Sequence, residues 1–193
     1  MSRVVIIGAG ALGSHLVLFA RNWPETLRVV DFDRVETKNI RSQFHTQMGQ
    51  GRNKVQALQQ AMQGMFRVKL DIVPHMLTED NREQIIPVEG TRLVIDCTDN
   101  IKARTLIQEY CMEQGLRCLH GCLSADGTYA QAVWTEDFDP DPEGETGQAT
   151  CEDGDHVAFY AVAGARIAIL ARRFLDTGKK DMAQMGEGHF KII

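Results

Sequence analysis

The first 43 residues contain the pattern that most constrains how this chain can fold. Residues 4–7 are four β-branched residues, residues 8–13 read Gly-Ala-Gly-Ala-Leu-Gly, and an apolar, helix-like run follows. A second short strand is predicted at residues 27–30, and it ends on Asp31. Buried strand, glycine turn, helix, strand and acid is the order of a dinucleotide-binding βαβ unit. The pattern therefore predicts a nucleotide site in an α/β domain.

Each residue of this pattern has a separate physical role. Gly8 permits the tight turn, Gly10 lets the backbone approach a phosphate, and Gly13 lets the helix pack on the strand. The helix N-terminus offers free N–H groups to an anion. Asp31 follows Gly13 by 18 residues, where its carboxylate can hold ribose hydroxyls. A structural turn that binds no ligand is the alternative interpretation, and the pattern does not say which nucleotide is bound.

The rest of the chain continues the alternation of strands and helices. Helices are predicted at residues 54–66, 78–86, 101–115 and 156–175, and strands at residues 68–73, 93–95, 117–121, 128–134 and 189–193. Apolar residues at three- and four-residue steps predict two buried helix faces, formed by Leu12, Leu16, Phe19 and Trp23 and by Val55, Leu58, Met62 and Met65. We therefore expect an α/β fold with a Rossmann-like, mostly parallel sheet and helices on both faces, in a single domain over residues 1–193.

Composition narrows the class of protein. Hydrophobic residues make up 44% and charged residues 24% of the chain, which is typical of a globular domain. No apolar run approaches the ~20 residues of a membrane span, and the first strand begins without room for a secretion signal, so a cytoplasmic protein is expected. Five irregularly spaced cysteines favour reduced thiols. Cys118, His120 and Cys122 alternate along a predicted strand, which favours core packing over a metal site.

Residues 136–155 hold nine acidic residues and no Lys or Arg, and this segment is predicted to be a flexible loop. The net charge of −5 is therefore a local property, because the remaining residues are slightly basic. No basic stripe with interleaved aromatic residues is present, so nucleic acid is a weak candidate partner.

Four further motifs follow the glycine turn in order. Residues 31–43 read Asp-Phe-Asp-Arg-Val-Glu-Thr-Lys-Asn-Ile-Arg-Ser-Gln, residues 51–54 Gly-Arg-Asn-Lys, residues 96–100 Asp-Cys-Thr-Asp-Asn, and residues 148–154 Gln-Ala-Thr-Cys-Glu-Asp-Gly. With these motifs the chain resembles, over nearly its whole length, the MoeB/ThiF/ubiquitin-activating (HesA/MoeB/ThiF) family of ATP-dependent adenylyltransferases. The family patterns are D-x-D-x-V-x-x-x-N-L-x-R-Q, G-x-x-K, D-x-x-D-N and a C-x-x-x-G-type segment before the final helix.

The resemblance implies that a carboxylate attacks the α-phosphate of ATP, which forms an acyl-adenylate and releases pyrophosphate. In the family the carboxylate is usually the C-terminal glycine of a ubiquitin-like or sulfur-carrier protein that ends in Gly-Gly. ATP and Mg²⁺ are the implied cofactors, and a homodimer is the implied assembly. Such chemistry needs cations around the phosphates. It needs little general-base help, because the carboxylate is ionised near neutral pH.

The resemblance also implies which residues form the site. Those implied to contact the nucleotide are Gly8, Gly10 and Gly13 at the phosphate turn, Asp31 at the ribose, Asn39 at the phosphates, and Asp33, Gln43 and Asn100 around them. Arg41 and Lys54 would neutralise developing charge, and Asp99, at the carboxyl end of a strand, would hold Mg²⁺. In some relatives a cysteine near Cys151 forms a thioester or persulfide link, so Cys151 is a candidate covalent residue.

Each of these residues has a plainer interpretation. Lys54 can be a solvated surface charge, Asp99 and Asn100 can simply cap the following helix, and Asp33 can be a turn acid. Cys151 can be an ordinary loop cysteine.

The chain departs from the family pattern in three places. Ser42 stands where the family arginine usually lies, but Arg41 lies 13 residues before Lys54, which is the usual spacing, so the role passes to Arg41. The chain begins at its first strand, whereas many relatives have preceding helices that supply an arginine to the partner's site. The paired cysteines of the family's zinc site are also missing.

Several functions therefore stay open beside adenylation of a carrier protein. A non-catalytic or partner-dependent member would act as a binding module. Another variant would adenylate a carboxylate on a small molecule, a peptide or a tRNA. The glycine turn alone also fits an NAD(P)-dependent oxidoreductase, which would leave Asn39, Lys54 and Asp99 without roles.

Overall fold

The computed structural model describes residues 2–140, 154–186 and 189–192. The strands are β1 (Arg3–Ile7), β2 (Thr26–Val30), β3 (Asp71–Val73), β4 (Thr91–Asp96), β5 (Cys118–Leu123), β6 (Tyr129–Trp134), β7 (Ala183–Gly186) and β8 (His189–Ile192). The α-helices are α1 (Ala11–Ala20), α2 (Asn39–Ser42), α3 (Lys54–Phe66), α4 (Arg82–Ile85), α5 (Ile101–Glu113) and α6 (Val157–Thr177). Short 3-10 turns lie at Gln47–Gly49, Glu79–Asn81 and Thr135–Asp137.

The strands form one sheet in the order β3-β2-β1-β4-β5-β6-β7-β8. The first five strands in this order are parallel, and β5 to β8 continue the sheet in antiparallel pairs. The prediction of a mostly parallel, Rossmann-like sheet is therefore confirmed. The chain runs outward from β1 through β2 to β3 and then crosses to β4 on the other side of β1. Ligands of open α/β sheets bind at such a reversal, beyond the carboxyl ends of the strands.

Helices cover both faces of the parallel half, as predicted. Val4 and Ile6 of β1 belong to a core that includes residues of α1, α3 and α6. Val5 and Ile7 point to the opposite face and pack with residues of α4 and α5. This alternation follows from the two-residue period of a strand, and burial of both faces explains why β1 is apolar from Val4 to Ile7.

Some local predictions were wrong. Phe19 and Met65 are exposed, although helical spacing placed them on buried faces. The predicted strand at residues 68–73 shortens to Asp71–Val73, because α3 ends at Arg67 in the left-handed conformation and an irregular stretch follows. The strand β7 was not predicted, since its residues Ala-Gln-Met-Gly carry no β-branched side chain.

Two further expectations concern membranes and metals. Within the ranges that the structure describes, no helix has both the length and the apolar character that a bilayer crossing requires. In the predicted strand, Cys118 and His120 are buried, in agreement with the core-packing interpretation, and Cys122 is half-buried.

Helices α1 and α6 pack so closely that their backbones nearly touch at Gly164. A Cβ atom at this position would lie 2.8 Å from the Cβ of His15, 3.0 Å from the backbone nitrogen of Leu16 and 3.1 Å from the carbonyl oxygen of Leu12. Two of these atoms belong to the backbone of α1 and cannot move independently of the helix. The contact therefore requires a glycine, and it explains why a long helix rich in small residues lies against the first helix.

We expect Gly164→Val to lower the free energy of unfolding by about 1–3 kcal/mol, because the new side chain would force α1 and α6 apart. The matched control is Gly64→Ala in α3, where a Cβ would meet nothing within 4 Å. That substitution should instead raise stability by about 0.5–1 kcal/mol. Urea unfolding monitored by circular dichroism measures both, and equal midpoints for Gly164→Val and the unaltered protein would contradict the close contact.

Candidate functional site

A cavity of about 410 Å³ opens at the carboxyl ends of the parallel strands, where the strand order reverses. Residues from the ends of β1, β2 and β5 and from the loop between β4 and α5 line it. The lining includes eight residues implied by the sequence motifs: Gly8, Gly10, Asp31, Asp33, Gln43, Lys54, Asp99 and Asn100. Loops that are far apart in the sequence therefore meet at one site.

The floor of the cavity is the glycine turn after β1. Gly8 has a φ of +95°, and a Cβ there would lie 2.6 Å from the carbonyl oxygen of Cys97. Gly13 lies beneath the turn, where a Cβ would fall 1.8 Å from the carbonyl oxygen of Gly8. Any side chain at either position would push β1, α1 and the β4–α5 loop apart, so the turn can form only with glycine at both.

The peptide groups of Ala9, inside this turn, are held from two sides. The N–H of Ala9 donates to Oδ2 of Asp31 at 2.7 Å, while its carbonyl oxygen accepts from Nε2 of His45 at 2.9 Å. Because a carbonyl oxygen only accepts, Nε2 of His45 carries the proton. The other carboxylate oxygen of Asp31 accepts the N–H of Asp33 at 2.8 Å. Burial raises the pKa of Asp31 above its ordinary value, although Lys54 and these N–H groups oppose the rise.

Lys54 begins α3 and lies among acidic side chains. Its Nζ donates to Oδ2 of Asp33 at 2.9 Å, and its side chain is only 10% exposed. Burial alone would lower the pKa of Lys54, but the charges of Asp31, Asp33 and Asp99 outweigh it and raise the pKa above the usual value. Lys54 is therefore a fixed cation close enough to Asp99 to interact with it, and it is not a solvated surface charge.

A buried network holds the β4–α5 loop that carries Asp99. Asp96 accepts hydrogen bonds from the N–H and hydroxyl of Thr98 at 2.9 and 2.7 Å, and its other oxygen is 2.9 Å from Nδ1 of His120. Burial would raise the pKa of Asp96, but the hydrogen bond to His120 and the charge of Arg104 lower it below its ordinary value. Arg104 also donates to the carbonyl oxygen of Thr98 and to Sγ of Cys122.

The same loop ends in a helix cap. Oδ1 of Asn100 accepts the N–H of Ala103 at 3.1 Å, so Asn100 caps α5 as well as lining the cavity. Asp99 precedes this cap and also lines the cavity. Carboxylate oxygen is a hard ligand of the kind that Mg²⁺ takes in combination with substrate phosphates and water. Asp99 therefore fits a magnesium site of that open kind. No cluster of three or more metal-ligating side chains occurs in the part of the chain that the structure describes.

A family model described as the ThiF family matches residues 1–172. The chain belongs to the ThiF family.

Relatives within the ThiF family are distant and longer. The chain is 32% identical over 115 residues to the adenylyltransferase and sulfurtransferase MOCS3 of Aedes aegypti, covering 58% of this chain and 26% of that protein. It is 30% identical over 125 residues to the SAMP-activating enzyme E1 of Haloferax volcanii, covering 63% of this chain and 46% of that enzyme. It is 29% identical over 163 residues to the adenylyltransferase and sulfurtransferase UBA4 of Candida albicans, covering 79% of this chain and 37% of that protein. The chain thus spans about a quarter to a half of these relatives.

Solved structures agree on the fold. The structure of Escherichia coli MccB with ATP superposes on the whole of this chain and on 62% of MccB, with a TM-score of 0.74 and 14% identity. PaaA superposes with a TM-score of 0.72 and 16% identity, over the whole chain and 63% of PaaA. At these identities the superpositions show a shared architecture.

Two implied residues of the ThiF motif, Asn39 and Arg41, do not line the cavity. Asn39 is buried, and its Oδ1 accepts the N–H of Glu36 at 2.8 Å, so its side chain closes a turn. Arg41 is exposed and packs beside Gly154. Neither residue lines the cavity formed by the described residues. Cys151 and most of the acidic segment, residues 141–153, lie outside the described residues.

The motifs missed other residues of the site. His45 and Lys102 were not among the implied site residues, yet His45 holds the glycine turn and Lys102 lines the cavity. For Arg104 the sequence left a site role and a solvent-facing position both open, and Arg104 also lines the cavity. Arg104 follows the D-x-x-D-N motif by four residues, which was the available signal. For His45 no local pattern exists, because only the fold brings it to Ala9.

His45 gives the protein a pH-dependent stability. Burial, with a smaller effect of the charge of Lys54, lowers the pKa of His45 to about 4 from an ordinary value of 6.5. Between these values the unfolded chain binds more protons than the folded protein, so stability falls as the pH drops from 6.5 towards 4. We expect the unaltered protein to lose about 2 kcal/mol between pH 7 and pH 5 through His45.

His45→Gln should not show this loss, because the amide can still donate to the carbonyl of Ala9 and does not titrate. Urea unfolding at both pH values measures the difference. If both proteins lost the same free energy of unfolding between pH 7 and pH 5, His45 would not be the cause of the pH dependence.

Proposed function

We propose that this chain catalyses the ATP- and Mg²⁺-dependent adenylation of a carboxylate, and that the acceptor is the C-terminal glycine of a ubiquitin-like or sulfur-carrier protein. One observation carries the proposal: Lys54 and Asp99 line the same cavity, close enough to interact, over a glycine turn braced by Asp31. A cation, a metal-binding acid and a phosphate turn are what attack on a nucleotide phosphate requires.

The chemistry places few demands on proton transfer. An ionised carboxylate oxygen forms a bond to the α-phosphorus, the bond from that phosphorus to the bridging oxygen breaks, and pyrophosphate leaves with the electron pair. Because the nucleophile is already charged near neutral pH, no general base is needed. The chain's contribution is to position the phosphates and to offset their growing charge, which is where fixed cations lower barriers most.

Lys54 supplies the fixed cation of this mechanism. Its raised pKa keeps the ammonium charged across the physiological range, and Asp33 restrains its Nζ. Asp99 would hold Mg²⁺, which when bound neutralises phosphate oxygens as a Lewis acid. Asp31 is held in place by the N–H groups of Ala9 and Asp33, and in this proposal it meets the ribose hydroxyls.

The names of the relatives support the choice of acceptor. MOCS3 and UBA4 are named adenylyltransferases and sulfurtransferases, and the Haloferax volcanii relative is named a SAMP-activating enzyme. A carrier protein is the acceptor that these names favour for this chain. A covalent step at Cys151, a homodimer, and the acidic segment as a flexible cover over the carrier's tail remain predictions from sequence.

A binding module without catalysis is the second candidate. The exposed position of Arg41 outside the cavity favours it, because one of the two cations implied by the motif then does not face the phosphates. Adenylation of a small-molecule, peptide or tRNA-borne carboxylate differs only in the acceptor.

Exchange of labelled pyrophosphate into ATP tests the proposal on the purified chain with a carrier ending in Gly-Gly. We expect Asp99→Asn and Lys54→Met each to slow exchange by about 10²-fold or more, because each removes charge that the transition state needs. The control is Glu109→Gln, an exposed acid on α5 outside the cavity, which should exchange at the unaltered rate.

Each other outcome has a definite meaning. Exchange by Asp99→Asn at the unaltered rate would show that Asp99 does not hold the metal ion. Exchange that a small carboxylate supports in the absence of any carrier would favour a small acceptor. ATP binding without exchange, whatever carboxylate is supplied, would favour the binding module.

A further inference from the structure

Three cationic side chains line the cavity among the described residues, and they differ in how they are engaged. Lys54 is paired with Asp33 and lies in the field of Asp31 and Asp99. Arg104 donates to the carbonyl oxygens of Thr98 and Gly121 and to Sγ of Cys122. These two cations are already tied to protein groups, so neither is free to follow a ligand.

Lys102 is the third cation, and its surroundings are different. It is the second residue of α5, its side chain is exposed, and it makes no ion pair or side-chain hydrogen bond with any described residue. Asn100 caps the helix through the N–H of Ala103, so Lys102 lies in the first turn, where the helix dipole is positive. Lys102 therefore lines the cavity with an ammonium group that no described residue engages.

The charges of the residues that line the cavity indicate a role for Lys102. Asp31, Asp33 and Asp99 balance Lys54, Lys102 and Arg104, so the lining carries no net charge. A nucleotide triphosphate brings several negative charges, and Asp99 at the same loop repels them. A flexible point charge three residues after Asp99 offsets that repulsion, and lysine is a common phosphate binder of this type.

We propose that Lys102 is a nucleotide-binding residue that contacts the phosphate groups. This inference rests on the proposed function, because it takes the ligand to be a nucleotide. A single acceptor carboxylate is the other anion that could use the group, and the measurements below separate the two.

Calorimetric titration of the intact chain with Mg·ATP, AMP and adenosine tests the assignment. Lys102→Ala should weaken Mg·ATP binding about tenfold, because one charge-assisted contact is lost. Lys102→Glu should weaken it further, Lys102→Arg should retain most of the affinity, and adenosine should bind all variants alike. Raising the salt concentration should reduce the difference in Mg·ATP affinity between the unaltered chain and Lys102→Ala, since the contact is exposed.

The matched control is Lys69, an exposed lysine before β3 that does not line the cavity. Lys69→Ala and Lys69→Glu should bind Mg·ATP as the unaltered chain does. Equal losses at positions 69 and 102 would show an effect of overall charge and would overturn the inference.

Other results separate the inference from the proposed function. If the unaltered chain does not bind Mg·ATP, the proposed function fails. If it binds and the Lys102 variants bind equally well, only the inference fails. A raised KM for the acceptor with unchanged Mg·ATP affinity would assign Lys102 to the acceptor carboxylate. If the Lys102 variants lost as much affinity for adenosine as for Mg·ATP, Lys102 would not contact the phosphates.

Discussion

The close approach of two backbones at Gly8 is the constraint on which the rest of the site depends. The turn after β1 passes within contact distance of the carbonyl of Cys97 at the end of β4, and α1 begins directly beneath it. Because no side chain fits there, β1, β4 and α1 can converge on one point. The peptide groups of Ala9 are then fixed by Asp31 on one side and His45 on the other. Hydrogen bonds from two directions thereby hold the turn that forms the floor of the cavity.

Electrostatics in the cavity follow from this geometry. Strands that end side by side bring Asp31, Asp33 and Asp99 together, and three carboxylates so close would repel one another without cations. Lys54 is buried among them and keeps its charge because their attraction exceeds the cost of its burial. The arrangement is balanced rather than strongly positive. A phosphate ligand would therefore depend on Mg²⁺ as a further cation, and on Lys102 as the cation of the lining that no described residue engages.

Much of the fold could be predicted from sequence because the signals were local. The glycine turn, the apolar strand before it and the start of α3 at Lys54 depend on neighbouring residues, and each lies where it was expected. Phe19 and Met65 were misassigned because helical spacing identifies an apolar stripe but not whether another element covers all of it. His45 was missed for a related reason, because tertiary contacts alone bring it to Ala9.

The contact of α1 and α6 at Gly164 has a mechanical consequence. At this contact the backbone of α6 lies against the backbone of α1 at Leu12 and Leu16. Two helices in such contact can rotate about it, but neither can slide along the other. One end of this pair is the first turn of α1, under the ligand site, and the other is the start of α6, just after Gly154 packs against Arg41. The contact at Gly164 therefore couples the packing of α6 to that of α1, whose first residues, Ala11 and Leu12, line the cavity.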